Sequence, residues 1–160
     1  MESAFLLLGT NLGDRLHQLD SCRQKLANIG VLGSVSGIYE TAPWGISDQP
    51  EFWNQAVELK TTQSPQELLT ELKRIEQECG RQVTSKWGPR EIDIDILIFG
   101  SRKLQLAELI IPHPRLQDRR FALMPLEEIA SNVLHPGLEK TVKQMLSECT
   151  DNLSVQLKYF

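Results

Sequence analysis

An α+β sandwich, with a mostly antiparallel sheet and helices packed on it, is the fold class that two features of the sequence predict. Short apolar or alternating runs, which suit strands, interchange with 3.6-residue recurrences, which suit helices, in the order βαββαβ. The two helical stretches also carry their own stop signals, Gly30 and Gly80, where a C-terminal cap belongs. That order suggests a ferredoxin-like sandwich, its helices on one face of the sheet, extended by C-terminal additions. At 160 residues a single domain spanning 1–160 is expected, long enough for a sizeable core. Such a fold hosts many functions and decides none.

The elements follow in order. Ala4 to Leu8 is a compact apolar run ending in Gly9-Thr10-Asn11-Leu12-Gly13-Asp14, a buried strand and a tight turn. That turn could hold phosphate, but it is neither a dinucleotide nor a P-loop fingerprint, and plain turn chemistry is the better reading. Leu12, Leu16, Leu19, Cys22, Leu26 and Ile29 recur at helical spacing, predicting a helix from Leu12 to Ile29. Val31 to Tyr39 reads as a second strand, Glu40 to Pro50 as a loop bearing Trp44, and Phe52 to Lys60 as a third strand. On the third strand Phe52 and Asn54 share one face, with Trp53 and Val57 on the other. Ser64-Pro65-Gln66-Glu67 is a capping box with proline at the first helical position. Leu68, Leu69, Leu72, Ile75 and Cys79 form the stripe of that helix, leaving Lys73, Glu76 and Gln77 on other faces. Arg81 to Lys86 is a polar loop, and Glu91 to Phe99 a fourth strand. A short strand at Leu104–Leu106, a short helix around Leu126–Ala130, a helix with Leu138, Val142, Met145 and Leu146 on its stripe, and a final strand at 154–157 complete the chain.

Composition excludes several function classes. The net charge of −4 argues against a general nucleic-acid binder. Three widely spaced cysteines, Cys22, Cys79 and Cys149, form no CxxC pair, which argues against a disulfide framework or a zinc site and fits a reducing cytoplasm. The first apolar run is too short for a membrane span and lacks a signal peptide's basic start. Charge is uneven, however. Residues 81–120 hold eight Lys and Arg against five Asp and Glu, a local +3, so the remainder carries −7. Six of the nine arginines lie in that segment.

The same segment holds the stretch with the clearest chemistry, Trp87 to Phe99, WGPREIDIDILIF. On a strand Glu91, Asp93 and Asp95 point one way and Ile92, Ile94 and Ile96 the other, with same-face neighbours roughly 6.5–7 Å apart. Two carboxylates at that spacing can reach toward one divalent cation or a pair. A solvated acidic face on an edge strand is the plain alternative. Arginine around a carboxylate pair suits a metal–polyphosphate site, acids on the cation and guanidinium forks on the phosphate oxygens; surface ion pairs of little worth are the alternative there. Taken alone, the proline-bracketed His113 reads better as a structural imidazole, Phe52 and Phe121 as core, and Arg81 and Arg90 equally as surface ion pairs.

WGPREIDIDILIFG, followed by IPHPRLQDRRFALMPL, resembles the signature of the 6-hydroxymethyl-7,8-dihydropterin pyrophosphokinase family of folate biosynthesis. FLLLGTNLGD, ETAPWG…DQPEFWNQAVEL and RIEQECGR match that family in the same order, so the likeness covers the chain to about Leu126 and is weak only beyond it. The resemblance implies transfer of the β,γ-diphosphoryl group of ATP to the pterin hydroxymethyl oxygen, releasing AMP. It implies two Mg²⁺ ions on Asp93 and Asp95, with Arg81 and Arg90 approaching the phosphates as catalytic groups. Glu76, Trp87, Arg90, Ile96, His113 and Arg119 would contact ATP. Thr41, Ala42, Trp44, Phe52, Asn54, Trp87 and Phe121 would hold the pterin, the two phenylalanines sandwiching it and Asn54 reading its polar edge. The loops Glu40–Pro50 and Gln82–Lys86 would close over the site, and a cytoplasmic monomer is implied. The chain departs from the family pattern in three places. The stretch from Arg81 to Trp87 is one residue short, so a second loop arginine has no equivalent; Pro114 stands where an aromatic occurs; and Lys73 stands where a neutral residue contacts adenine. A non-catalytic ferredoxin-like module binding a nucleotide or metal on its acidic strand is the rival reading, and a pterin binder that has lost catalysis a third. The convergence of acids with Arg90, His113 and Arg119 separates the enzyme from the module.

Overall fold

The structure, a computed structural model, describes residues 1–41, 50–80 and 92–160. In chain order the elements are β1 (Glu2–Thr10), α1 (Arg15–Leu26), β2 (Val31–Val35), β3 (Tyr39–Thr41), β4 (Phe52–Thr61), α2 (Pro65–Glu78) and β5 (Asp93–Phe99). Then come β6 (Leu104–Gln105), β7 (Ile110–Ile111), a 3-10 turn (Leu116–Asp118), α3 (Arg120–Ala130), β8 (Leu134–His135), β9 (Lys140–Thr141), α4 (Val142–Glu148) and β10 (Val155–Leu157). The class is mixed α/β, with one six-stranded antiparallel sheet. Its strands run β10-β3-β4-β1-β5, and β2 pairs with β4 beyond β3. The pairs β6–β7 and β8–β9 are separate two-stranded ribbons.

Both faces of the sheet are covered, not one as the sequence suggested. One core contains Ala4, Leu6 and Leu8 of β1 with residues of α1, α2 and the β6–β7 region. The other contains Phe5 and Leu7 with residues of α3 and α4. The two faces of β1 thus feed two cores, as strand alternation requires. β5 changes sides partway. Its pairing with β1 shifts register at Phe5/Leu6, so Ile94 and Ile96 enter the first core while Leu97 and Ile98 enter the second.

Several predicted boundaries move, each for a local reason. The first helix begins at Arg15, not Leu12, because the Asp14 carboxylate accepts from the His17 amide at 3.1 Å. Leu12 and Leu16 are consequently 39% and 44% exposed. The predicted strand Val31–Tyr39 is two strands. Between the pairs Val35↔Val57 and Tyr39↔Asn54 it spends one residue more than β4 does. Ser36 makes the break: its amide donates to the Ala56 carbonyl and its Oγ accepts from the Ala56 amide, both at 2.9 Å. Another extra residue lies between Leu32 and Val35, so the one at Ser36 returns Tyr39 to the parity of Val31, on the Asn54 face. The helix expected at Leu126 already starts at Arg120 and runs through Pro125. Leu138 lies in the β8–β9 ribbon, 42% exposed, rather than on the last helix. The capping box at Ser64 and Glu67 forms as read. No described helix is long and apolar enough to cross a membrane.

Candidate active site

One row of residues crosses the sheet and organises the site. Tyr39 pairs with Asn54, Asn54 with Gly9, and Gly9 with Asp93. Directly paired residues share a face, so Asn54 and Asp93 project on the same side, two strands apart, roughly 10 Å. Asp95 pairs with Leu7, and Thr41 with Phe52, on that same face. Gly9 places no side chain in the middle of the row. A Cβ there would sit 2.8 Å from Asn54 Oδ1, so the Asn54 amide leans over the glycine. Gly9 is a site residue that the sequence reading passed over as the start of a turn. A glycine ending an apolar strand is the signal that marks close approach.

The first turn of α3 closes over this face. Arg119 precedes the helix, and its guanidinium carbon lies 5.5 Å from the Phe121 ring centroid. Burial pulls the Arg119 guanidinium down from its ordinary range, while Asp95 and Asp93 push back, which places the cation in the field of both acids. Arg119 Nε is buried with no hydrogen-bond partner among the described residues. A buried charged donor without a partner is costly and marks a position where an anion completes the site.

Beside β5, the edge of the sheet, lies a cleft of about 360 Å³, a size that suits a small-molecule ligand. Leu69, Leu72, Lys73 and Glu76 of α2 form one wall, and Ala107–Ile110 with His113 and Pro114 the other; Asp93 to Ile96 lie between. Glu76 is buried, contrary to the helical-wheel expectation. Its Oε2 accepts from the Ile94 amide at 2.7 Å, holding the middle of the Asp93-Ile94-Asp95 run. The amide of His113 donates to the Leu97 carbonyl at 2.9 Å, which ties the imidazole to the irregular point of β5. His113 Nδ1 accepts from the Arg115 amide at 3.2 Å, assigning the proton to Nε2. Burial, then the cations of Arg119 and Arg115, lower the His113 pKa to about 4, with Asp93 opposing. The imidazole is therefore neutral near pH 7 and offers one N–H donor.

Among the described residues, no group of three or more His, Cys, Asp and Glu is placed to hold a metal ion. Two carboxylates on one face are a poor fit to a closed protein cage but fit Mg²⁺, which keeps waters and substrate phosphates among its ligands. Of the residues singled out from sequence, Glu76, Asp93, Asp95, Ile96 and His113 line the cleft. Thr41, Phe52 and Asn54 stand on the sheet face that α3 covers, and Arg119 and Phe121 at the start of that helix. Ala42, Trp44, Arg81, Trp87 and Arg90 lie outside the described residues.

Residues 5–131 match the family model described as 7,8-dihydro-6-hydroxymethylpterin-pyrophosphokinase. A protein from Aquifex aeolicus named 2-amino-4-hydroxy-6-hydroxymethyldihydropteridine pyrophosphokinase is 41% identical over 150 residues, 94% of each chain. Proteins of the same name from Bacillus subtilis and Haemophilus influenzae are 45% and 34% identical, over 81% and 98% of this chain and 79% and 99% of theirs. A solved HPPK-DHPS structure from Plasmodium falciparum superposes with a TM-score of 0.70 at 17% identity over 92% of this chain, a likeness of fold alone. This chain spans 44% of that longer one.

Proposed function

This chain belongs to the 7,8-dihydro-6-hydroxymethylpterin-pyrophosphokinase family, and we propose on that premise which residues carry each part of the reaction. The reaction is the ATP-dependent transfer of a diphosphoryl group to 6-hydroxymethyl-7,8-dihydropterin, a step of folate biosynthesis. Asp93 and Asp95 would hold Mg²⁺, two ions, beside the ATP phosphates. Such ions would supply neutralisation of the phosphate charge during transfer. Arg119 and the neutral His113 donate to phosphate oxygens, joined by Arg81 and Arg90. Glu76 and Ile96 line the nucleotide cleft, and Lys73, Glu108 and Pro114 stand at its walls. The pterin lies between Phe52 and Phe121, with Asn54 and Thr41 at its polar edge and Ala42, Trp44 and Trp87 contributing from the loops. The pterin hydroxymethyl group then faces Asp93 across the row.

The observation that carries this reading is that row. It sets a polar reader and an acid on one face, roughly 10 Å apart, with an unpartnered buried guanidinium donor over the same face. The same proposal takes the chain as one ferredoxin-like domain with C-terminal additions. The sheet order β2/β3–β4–β1–β5, with α1 and α2 on one face, supports that. It also takes the protein as a cytoplasmic monomer, and three free cysteines support the compartment.

A nucleotide product assay tests the function. With Mg²⁺, ATP and 6-hydroxymethyl-7,8-dihydropterin, pterin-dependent AMP is expected. ADP would mean single-phosphoryl transfer. A metal-dependent thermal shift on adding ATP, without any nucleotide product, would favour the binding module.

A further inference from the structure

The family-model match ends at residue 131, and the sequence after Gly137 leaves open whether that segment docks a partner or completes the fold. Its contacts are specific. α3 starts without a cap of its own, because Arg119 at the N-cap position makes no side-chain capping bond. Asp151 supplies the cap from a distance: its Oδ2 accepts from the Arg120 amide at 3.1 Å, while its Oδ1 accepts from the Leu153 amide at 3.0 Å. The Arg120 side chain answers, with Nε donating to the Asp151 carbonyl and Nη2 to the Cys149 carbonyl, both at 3.0 Å. Three residues further on, the same segment becomes sheet. The Ser154 carbonyl accepts from Thr41 Oγ1 at 3.2 Å, and β10 pairs along β3 with Val155 opposite Thr41 and Leu157 opposite Tyr39.

One short stretch therefore grips both walls of the pterin site. Arg119 and Phe121, facing the site, flank the residue that the strap holds. Thr41 is bonded to the strap, and Tyr39 stands in the organising row. The far half of α3 is tied to the same strand directly. Glu128 accepts from the Tyr39 hydroxyl at 2.6 Å and from the Gly37 amide at 3.2 Å. α3 is thus referenced to β3 at both ends, once through Glu128 and once through the strap.

We propose that residues 149–157 are a positioning strap, in which Arg120 and Asp151 set the distance between the Phe121 wall on α3 and the β3–β4 wall carrying Thr41 and Phe52. Neither residue touches substrate; both act through the first turn of α3. The proposal rests on the reading of that face as the pterin site.

The test compares Asp151→Ala, Asp151→Asn and Arg120→Ala with the wild-type enzyme, and uses Lys140→Ala as control. Lys140→Ala removes an exposed 2.8 Å ion pair to Glu148, next to the strap, and leaves every bond of Arg120 and Asp151 in place. Pterin KM, ATP KM and kcat are measured beside Tm and amide exchange of residues 119–124. Loss of the cap is expected to raise pterin KM about fivefold in Asp151→Ala and to speed exchange at Arg120 and Phe121. Asp151→Asn, which keeps an oxygen acceptor, recovers at least half of the KM effect. Arg120→Ala with Asp151→Ala adds little to either alone, because the two form one unit. The control leaves pterin KM unchanged. An Asp151→Ala enzyme with lowered Tm and wild-type pterin KM would overturn the proposal, since the strap would then only stabilise. If Asp151→Ala fails to fold, Arg120→Lys, which keeps the capped amide and loses the guanidinium fork, is read by the same criteria. A wild-type enzyme making no pterin-dependent AMP would instead refute the site reading itself.

Discussion

Glu76 offers the sharpest check on how the acid pair is held. Among the described residues β5 is the last strand of the sheet and its outer edge has no ladder partner; the Ile94 amide donates to Glu76 Oε2 at 2.7 Å with Glu76 only 8% exposed. Glu76→Ala strands that amide next to Ile94, itself 5% exposed. A buried donor left unpaired costs about 1–3 kcal/mol, and a bond to a charged acceptor sits at the upper end, so about 2–3 kcal/mol is expected. For a chain of this length that is a drop in Tm of roughly 5–10 °C. Glu76→Gln keeps an acceptor and loses only the charge assistance, about 1 kcal/mol and roughly 3 °C. Because Ile94 lies between Asp93 and Asp95, turnover should fall with stability, at least about tenfold in Glu76→Ala, and recover partly in Glu76→Gln. Thermal unfolding by circular dichroism and steady-state AMP formation give both quantities. A Glu76→Ala protein that melts within about 1 °C of wild type refutes the anchoring argument. If it also loses ATP affinity alone, Glu76 acts as a nucleotide contact rather than as a brace for β5.

Other perturbations address the remaining parts. Asp95→Ala is expected to abolish nearly all AMP formation and keep a cooperative unfolding transition, since Asp95 is half-buried and belongs to neither apolar core; near-wild-type turnover would remove it from the metal assignment. Gly9→Ala should displace the Asn54 amide, because the new methyl would sit 2.8 Å from Oδ1. Pterin KM rises by about tenfold or more while ATP KM stays put, and equal effects on both would place the pterin elsewhere. His113 has a pKa lowered to about 4 against an ordinary 6.5. The unfolded chain therefore binds its proton first as pH falls. This contribution to stability is complete above about pH 6.5, declines between about 6.5 and 4, and totals about 3 kcal/mol. Urea titrations of the nucleotide-free protein from pH 7 to 4 should show that slope, and His113→Gln should flatten it; an unchanged slope in the variant assigns it to other groups.

Much of the site was legible because its chemistry is short-range in sequence. Alternation alone put Phe52 and Asn54 on one face of their strand and Asp93 and Asp95 on one face of theirs. The paired acids next to arginines already suggested a cation and phosphates. The packing at Gly9 and the burial of Glu76 were not legible, for opposite reasons. Glycine has no side chain whose chemistry can be read, and its role is the space it leaves beneath Asn54. Glu76 has a side chain that reads as solvated at its place on the helical wheel, and only packing of α2 against the edge of β5 shows that it is buried on an amide.

Local signals determined the capping box at Ser64, the alternation of β4, the two faces of the acidic strand and the family to which the chain belongs. Tertiary structure alone decided which faces of different strands coincide. Extra residues between Leu32 and Val35 and at Ser36, and one irregular pairing near Leu97, each turn a strand over, and a single-residue slip reverses every side chain beyond it. It also decided that Arg119 and Arg120, adjacent and chemically identical, part company. Arg119, half-buried, lies in the field of Asp95, whereas Arg120 is bonded to carbonyls more than twenty-five residues away. Pairing across such distances depends on where the sheet carries each segment, and no periodicity within either segment encodes it.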